Sequence, residues 1–179
     1  MKLLCFGDSN TYGYDPRSYL GDRYPSSVRW VDKLARQLEC DTLNGGQNGR
    51  MIPANANNLP VATHCVVMLG SNDLLQGFSA AEVTHRMEIF LTSALAKFEK
   101  ILLVAPPPMK YGDWVTEERL LVESAKIASL YEALAKKLNL SFADAGLWNV
   151  ELTFDGVHFS ERGHQAFYTG IKCALSGLL

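Results

Sequence analysis

Short apolar runs alternate with longer amphipathic segments along the chain. Apolar residues recur at helical spacing in four segments, which predict helices over Val28–Leu38, from Ser79 to about Phe98, over Glu117–Leu138 and over Glu161–Leu178. Two of these helices also carry N-terminal signals, a capping box at Ser79 and Glu82 and an N-cap at Ser160. The strand-sized apolar runs are Leu3–Phe6, Asp41–Leu43, Cys65–Leu69, Ile101–Ala105 and Leu140–Ala143.

This alternation is typical of an α/β protein with a parallel sheet. Apolar strands of this kind need cover on both faces, so we expect a three-layer fold with a five-stranded parallel sheet flanked by helices. Among doubly wound folds we expect the flavodoxin-like strand order. Residues 45–63 interrupt the pattern, and their Asn, Gly and Pro content predicts a long loop with at most a short helix. The length of 179 residues favours one domain, residues 1–179.

Composition and charge exclude several classes of protein. Hydrophobic residues make up 47% of the chain and charged residues 20%, which is typical of a folded globular protein. The net charge is -2 and no basic patch stands out, so no nucleic-acid partner is expected. No apolar run approaches the roughly 20 residues of a membrane span. Leu3–Phe6 is too short for a secretory signal, so a cytoplasmic location is expected. The sequence leaves open whether the chain forms a homo-oligomer.

The four cysteines do not have the spacing of a metal site or a redox pair. Each lies in or beside an apolar segment, so buried reduced thiols are expected. Asp155 and His158 lack a third ligand at a familiar spacing, and we therefore expect no metal. The cysteines are Cys5, Cys40, Cys65 and Cys173.

Residues with catalytic chemistry follow several of the predicted strands. In an open α/β sheet, ligands bind beyond the carboxyl ends of the strands. Ser9 follows the first strand, Gly49 the second and Asn72 the third, while Asp155 and His158 follow the fifth. All of these residues are therefore expected at one edge of the sheet.

These groups suit nucleophilic catalysis by a serine. The Ser9 hydroxyl needs a base, and His158 can take its proton. Asp155, three residues earlier, can hold the imidazole in one tautomer and orientation. An oxyanion needs donors that are already in place, and we expect the N–H groups of Ser9 and Gly49 and the side-chain amide of Asn72 to supply them.

At this point the sequence resembles the SGNH (GDSL-type) hydrolase family. Gly7–Asn10 (GDSN) resembles its first motif block, and Gly49 falls where the second block has a glycine. Gly70–Asp73 (GSND) fits the third block and Asp155–His158 (DGVH) fits the last. The blocks follow the family order over nearly the whole chain. The resemblance implies a Ser-His-Asp triad, three oxyanion donors, a flavodoxin-like fold and no cofactor.

Within that family, the chain resembles the bacterial arylesterase and acyltransferase branch. The resemblance rests on Cys5–Gly13, Asn48–Arg50 and Asp155–Phe159, together with Arg23–Pro25 and Val28–Trp30. The branch implies small-molecule esters with short acyl chains. Candidate substrate-pocket residues are Asn10, Tyr12, Asn48 and Arg50. Among the loop aromatics Tyr12, Tyr14 and Trp114, we favour Tyr12 because it lies three residues after Ser9.

We therefore predict a carboxylic ester hydrolase that works through an acyl-enzyme, with acyltransferase activity as a further hypothesis. The alternatives are a carbohydrate O-deacetylase, a lysophospholipase or thioesterase, and a non-catalytic binding domain of the same fold. Two polar residues have simpler interpretations. Asp73 is expected to be a turn or capping residue, and His164 a surface residue of the last helix.

Overall fold

A computed structural model describes residues 1–18, 20–38 and 40–178. The strands are β1 (Lys2–Gly7), β2 (Asp41–Gly46), β3 (His64–Met68), β4 (Lys100–Ala105) and β5 (Ser141–Asp144). The α-helices are α1 (Ser9–Tyr12), α2 (Trp30–Gln37), α3 (Ser71–Leu75), α4 (Ala80–Ala94), α5 (Glu118–Leu138) and α6 (Glu161–Leu175). One turn of 3-10 helix, Ala145–Trp148, follows β5.

All paired strands are parallel, in the order β2-β1-β3-β4-β5. This is the flavodoxin-like order, so the predicted fold class and strand order are confirmed. The order reverses beside β1, because β2 lies on one side of it and β3 on the other. Ligands of doubly wound sheets bind at such a switch point. The residues that follow β1, β2 and β3 are thus neighbours at one edge of the sheet.

Two apolar layers cover the sheet, because alternate residues of each strand point to opposite faces. In β1, Leu4 and Phe6 belong to the core beneath α4 and α5, while Leu3 and Cys5 belong to the core beneath α2 and α6. β3 and β4 repeat this division. The helices contribute large buried side chains on one stripe each, such as Phe90 of α4. This packing explains why the strands are apolar on both faces.

Several predicted boundaries differ from the observed ones by a few residues. The capping box at Ser79 is confirmed, as is the Ser160 N-cap, but α4 ends at Ala94 rather than near Phe98. The last helix likewise ends at Leu175. All of residues 47–63 are described by the structure, and they form a loop with turns and bends but no helix. None of the helices in the described part of the chain is long and apolar enough to cross a membrane.

The cysteines and His164 differ from their predicted surroundings. All four cysteines lie in the described part of the chain and are free, but only Cys5 and Cys65 are buried, while Cys173 is exposed on α6.

His164, predicted at the surface, is instead fully buried, because α6 turns this side chain toward the core. Its ring lies 5.2 Å from that of Tyr24, between centroids.

His164 should make the fold sensitive to acid. Burial lowers its pKa from 6.5 to about 3, and the charges of Lys33 and Arg29 act in the same direction. Below pH 6.5 the unfolded chain therefore binds more protons at this residue, so its contribution to stability falls as the pH drops from 6.5 toward 3. Between pH 6.5 and 4.5 we expect His164→Phe to lose about 2 kcal/mol less of its unfolding free energy than the natural chain does.

Urea unfolding at a series of pH values measures this difference. His85→Gln is the matched control, because His85 is exposed on α4, and it should follow the natural chain at every pH. Parallel pH profiles for His164→Phe and the natural chain would show that His164 is not the responsible group.

Candidate active site

Ser9 is the first residue of α1, two residues beyond the end of β1. Asp8 caps this helix, since its carboxylate accepts a hydrogen bond from the Asn10 N–H at 3.0 Å. The helix lies very close to the strand: a Cβ on Gly7 would stand 2.1 Å from the Thr11 hydroxyl oxygen. Glycine is therefore required here, and the tight turn presents the Ser9 hydroxyl at the sheet edge.

A hydrogen-bonded relay joins Ser9, His158 and Asp155. The Ser9 Oγ lies 3.0 Å from His158 Nε2, and His158 Nδ1 lies 2.7 Å from Asp155 Oδ2. The other carboxylate oxygen, Asp155 Oδ1, accepts the N–H groups of Val157 and His158, both at 2.9 Å. The tight turn thus folds the carboxylate back onto the ring. All three members of the relay are buried.

The environment of Asp155 keeps its carboxylate ionised. Burial acts to raise the pKa of this group, but the hydrogen bonds from the His158 ring and from two backbone amides outweigh burial and lower the pKa from 3.8 to about 2. A carboxylate that is charged at neutral pH can orient the imidazole and stabilise an imidazolium.

The three predicted oxyanion donors follow three adjacent strands. Ser9 follows β1, Gly49 lies three residues beyond β2, and Asn72 lies in the first turn of α3 after β3. Gly49 has a φ of +69°, a left-handed conformation that favours glycine. Among the described residues, no acceptor takes the N–H of Ser9 or of Gly49. Both groups are thus available to an anionic oxygen.

The Asn72 amide also holds the neighbouring loop. Its Nδ2 donates to the Arg50 carbonyl at 3.0 Å, which uses one of the two amide hydrogens and leaves the second for another acceptor. This bond links the ends of two neighbouring loops, those after β2 and β3.

Asp73, the next residue, is not the turn or capping residue that the sequence suggested. Its side chain is fully buried, and it pairs with Arg86 of α4 at 2.9 Å. The carboxylate also accepts the Ile52 N–H at 3.1 Å. Nothing in the local sequence identified Arg86 as its partner, because the two residues are brought together only by the packing of α4.

The polar side-chain groups of two predicted pocket residues bind other parts of the protein. The Asn10 amide is buried, and it donates to the Val157 carbonyl at 3.1 Å while accepting from the Phe159 N–H at 2.9 Å. The amide nitrogen and oxygen of Asn10 are therefore both bonded to the backbone of residues 157–159. The Arg50 guanidinium is likewise engaged: it donates to the carbonyls of Gly7 and Gly45 and to the Gln47 side chain, and lies over the Phe6 ring.

The aromatic neighbours of the imidazole are Tyr14 and Trp114 rather than Tyr12. Each of the two rings lies 4.8 Å from that of His158, between centroids, in an edge-on arrangement. The Tyr12 ring instead lies beneath the guanidinium of Arg23. Asn48 is exposed beside Gly49, and its place in a substrate pocket stays a prediction.

Backbone contacts fix Trp114 beside the turn that carries Asp155 and His158. The N–H groups of Lys110, Asp113 and Trp114 donate to the carbonyls of Gly156, Phe154 and Asp155, respectively, at 3.1 Å each. The two turns approach so closely that a Cβ on Gly112 would stand 2.4 Å from the Asp155 carbonyl carbon. Trp114 is nevertheless 51% exposed, so its indole is both held in place and open to solvent.

Comparison with known proteins agrees with the fold and with the sequence motifs. Residues 5–166 match the model of the GDSL-like lipase/acylhydrolase family. The chain belongs to this family, and the resemblance predicted from its four motif blocks is confirmed. It is accordingly a carboxylic ester hydrolase. No curated protein matches it by sequence.

Solved structures of esterases share the whole fold. The aryl esterase of M. smegmatis is 25% identical, with 99% of each chain covered and a TM-score of 0.85. A carbohydrate acetylesterase family member from Sinorhizobium meliloti is also 25% identical, with a TM-score of 0.84 over 99% of this chain and 98% of the other. The similarity thus extends over all the loops that carry the candidate site.

Removal of the Asn10 amide should loosen the turn that carries Asp155 and His158. Asn10→Ala leaves the buried N–H of Phe159 and the carbonyl of Val157 without their partner, and each lost partner costs about 1–3 kcal/mol. We expect a loss of about 3 kcal/mol of unfolding free energy, measured with urea, together with a lower kcat for ester hydrolysis. Asn48→Ala is the control, since that side chain is exposed, and its unfolding should match the natural chain. Equal stability of the two variants would contradict the assignment.

Proposed function

We propose that the protein hydrolyses carboxylic esters with short acyl chains, with Ser9 as nucleophile. His158 acts as the general base and acid, and Asp155 orients it. The observation that carries this proposal is the unbroken relay from the Ser9 hydroxyl through the imidazole to an ionised carboxylate. Such a relay activates a hydroxyl that is otherwise a poor nucleophile.

The reaction proceeds through an acyl-enzyme. Ser9 Oγ attacks the ester carbonyl carbon while His158 Nε2 accepts the hydroxyl proton. The N–H groups of Ser9 and Gly49 and the amide of Asn72 stabilise the oxyanion of the tetrahedral intermediate. Collapse of that intermediate breaks the bond to the alkoxy oxygen, which takes the proton from His158 and leaves as an alcohol. Water, activated in the same way, then hydrolyses the acyl-enzyme; an alcohol in its place would give acyl transfer.

The alcohol portion of the ester leaves along the imidazole, because His158 must protonate it. Trp114 and Tyr14 flank that ring, so they border the path of the leaving group. A half-exposed indole held by the backbone offers a flat apolar surface to an aromatic ring. We therefore favour esters of phenols over acetylated sugars, the second candidate suggested by the similarity to a carbohydrate acetylesterase.

Hydrolysis of p-nitrophenyl esters of increasing acyl length tests the proposed nucleophile. We expect the highest kcat/KM with acetate or butyrate and a loss of at least roughly 10³-fold in Ser9→Ala. Ser129→Ala, an exposed serine on α5, is the matched control and should keep full activity. A maximum at long chains would favour a lysophospholipase or thioesterase. The absence of Ser9-dependent turnover on every ester would favour a non-catalytic binding domain.

The leaving-group preference is tested with acetates that differ only in the alcohol. In Trp114→Ala, we expect kcat/KM for phenyl acetate to fall about three- to tenfold relative to that for ethyl acetate, and Trp114→Phe to lose less. Tyr111→Ala removes a more exposed aromatic side chain from the same turn and should leave this ratio unchanged. Preferred hydrolysis of an acetylated methyl glucoside over phenyl acetate would instead favour the carbohydrate O-deacetylase.

A further inference from the structure

The loop that carries Gly49 leaves β2 and reaches Ile52 without entering a helix or strand. Its first half is attached to the strand ends, because the Gln47 N–H donates to the Gly7 carbonyl at 3.2 Å. In the described part of the chain, no backbone–backbone hydrogen bond holds residues 51–55, so side chains from other elements must set their position. Two such contacts meet at Ile52. Its N–H donates to Asp73 Oδ2 at 3.1 Å, and its carbonyl accepts from Arg86 Nη2 at 3.1 Å.

Asp73 and Arg86 also bind each other, so each of the residues Asp73, Arg86 and Ile52 contacts the other two. We call this set of three contacts the clamp. Arg86 Nε lies 2.9 Å from Asp73 Oδ1, so one carboxylate and one guanidinium hold both polar groups of the same peptide residue. The guanidinium rests in addition on the Phe78 ring, at 4.8 Å from its centroid. The side chains come from α3 and α4, which gives the loop an anchor on two helices.

The clamp is continuous with the oxyanion donors. Asp73 directly follows Asn72, whose amide donates to the Arg50 carbonyl at 3.0 Å. Gly49 is the residue before Arg50 and Ile52 the second residue after it, so α3 fastens the loop immediately beyond Gly49 at two points. The Arg50 guanidinium holds the same segment from the other side, on the carbonyls of Gly7 and Gly45. The position of the Gly49 N–H relative to Ser9 thus depends on both attachments.

Arg86 supplies the charge that this arrangement requires. Asp73 is fully buried, and burial raises its pKa, while the Ile52 N–H and the Arg86 charge act to lower it. A buried carboxylate without a cation is strongly destabilised. Removal of the guanidinium thus leaves Asp73 to take up a proton or to turn away, and either change weakens its hold on Ile52.

We propose that Arg86, acting through Asp73 and Ile52, is a positioning residue for the oxyanion hole. The inference rests on the proposed serine mechanism, in which the Gly49 N–H stabilises the transition state. A misplaced donor weakens binding of the oxyanion but not of the neutral ester, so the loss appears in kcat rather than in KM.

The test compares Arg86→Met and Arg86→Lys with the natural chain on p-nitrophenyl acetate. Methionine keeps an apolar stem against Phe78 but removes the charge, and we expect kcat to fall roughly 10- to 100-fold with KM changed less than about twofold. Lysine keeps the positive charge but lacks the several N–H donors of the guanidinium. The kcat of Arg86→Lys should therefore lie between those of the natural chain and Arg86→Met. Arg119→Met is the matched control, since Arg119 donates to the Leu74 carbonyl and pairs with Glu117 but does not contact the loop.

A second measurement reports on the clamp without using activity. Amide hydrogen exchange at Ile52 should be roughly tenfold faster or more in Arg86→Met, because the acceptor of that N–H is no longer held. Urea unfolding of each variant shows that the comparison is made on folded protein.

The proposal is overturned if folded Arg86→Met keeps natural kcat and natural exchange at Ile52, if KM changes in place of kcat, or if Arg119→Met loses as much activity. Its failure is separable from that of the proposed function. A natural chain without Ser9-dependent turnover would contradict the serine mechanism, whereas Ile52 exchange would still show whether Arg86 holds the loop.

Discussion

The close approach of α1 to the ends of β1 and β2 is the constraint on which the site depends. Gly7 and Gly46 are paired across the two strands, and a Cβ on Gly46 would stand 2.0 Å from the Tyr12 nitrogen. Only with both side chains absent can the helix start at Ser9, directly over the strand ends. Without this contact, the Ser9 hydroxyl would lie too far from the imidazole that the last loop supplies.

That last loop is attached to its surroundings by hydrogen bonds of its backbone as well as by the buried side chains of Val157 and Phe159. The Asn10 amide binds it from α1, and the turn around Gly112 binds it from the side of β4. The relay geometry is therefore a consequence of three segments that are far apart in sequence. Arg86 provides the equivalent attachment for the loop after β2, so each half of the site is held in part by a contact from outside the motif blocks, the Gly112 turn in one half and Arg86 in the other.

The difference between local signals and contacts across the fold explains how much the sequence could predict. The strands, the Ser79 capping box and the motif blocks are local signals, and a few residues contain all the information they need. The strand order followed from the restricted set of doubly wound folds. Contacts such as Asp73 with Arg86 or Trp114 with His158 are set by helix packing and by turns that lie far away in sequence. No spacing pattern encodes them, and for the same reason Tyr12 was favoured over Tyr14 and Trp114.

The two carboxylates near the imidazole show how packing assigns different roles to one residue type. Burial raises the pKa of Asp8 to about 6, whereas the hydrogen bonds of Asp155 outweigh burial and lower its pKa to about 2. Asp155 therefore stabilises the fold above pH 3.8, and this contribution is lost as the pH falls toward 2. Asp8 has the opposite linkage: the folded state binds its proton more tightly, so its burial opposes folding at neutral pH, most strongly above pH 6. Burial of the ionised Asp8 carboxylate at the N-terminus of α1 is thus unfavourable. The hydrogen bond from the Asn10 N–H and the tight packing of the helix on β1 must offset this free energy. Since that helix begins with Ser9, the destabilising burial of Asp8 accompanies the placement of the proposed nucleophile at the sheet edge.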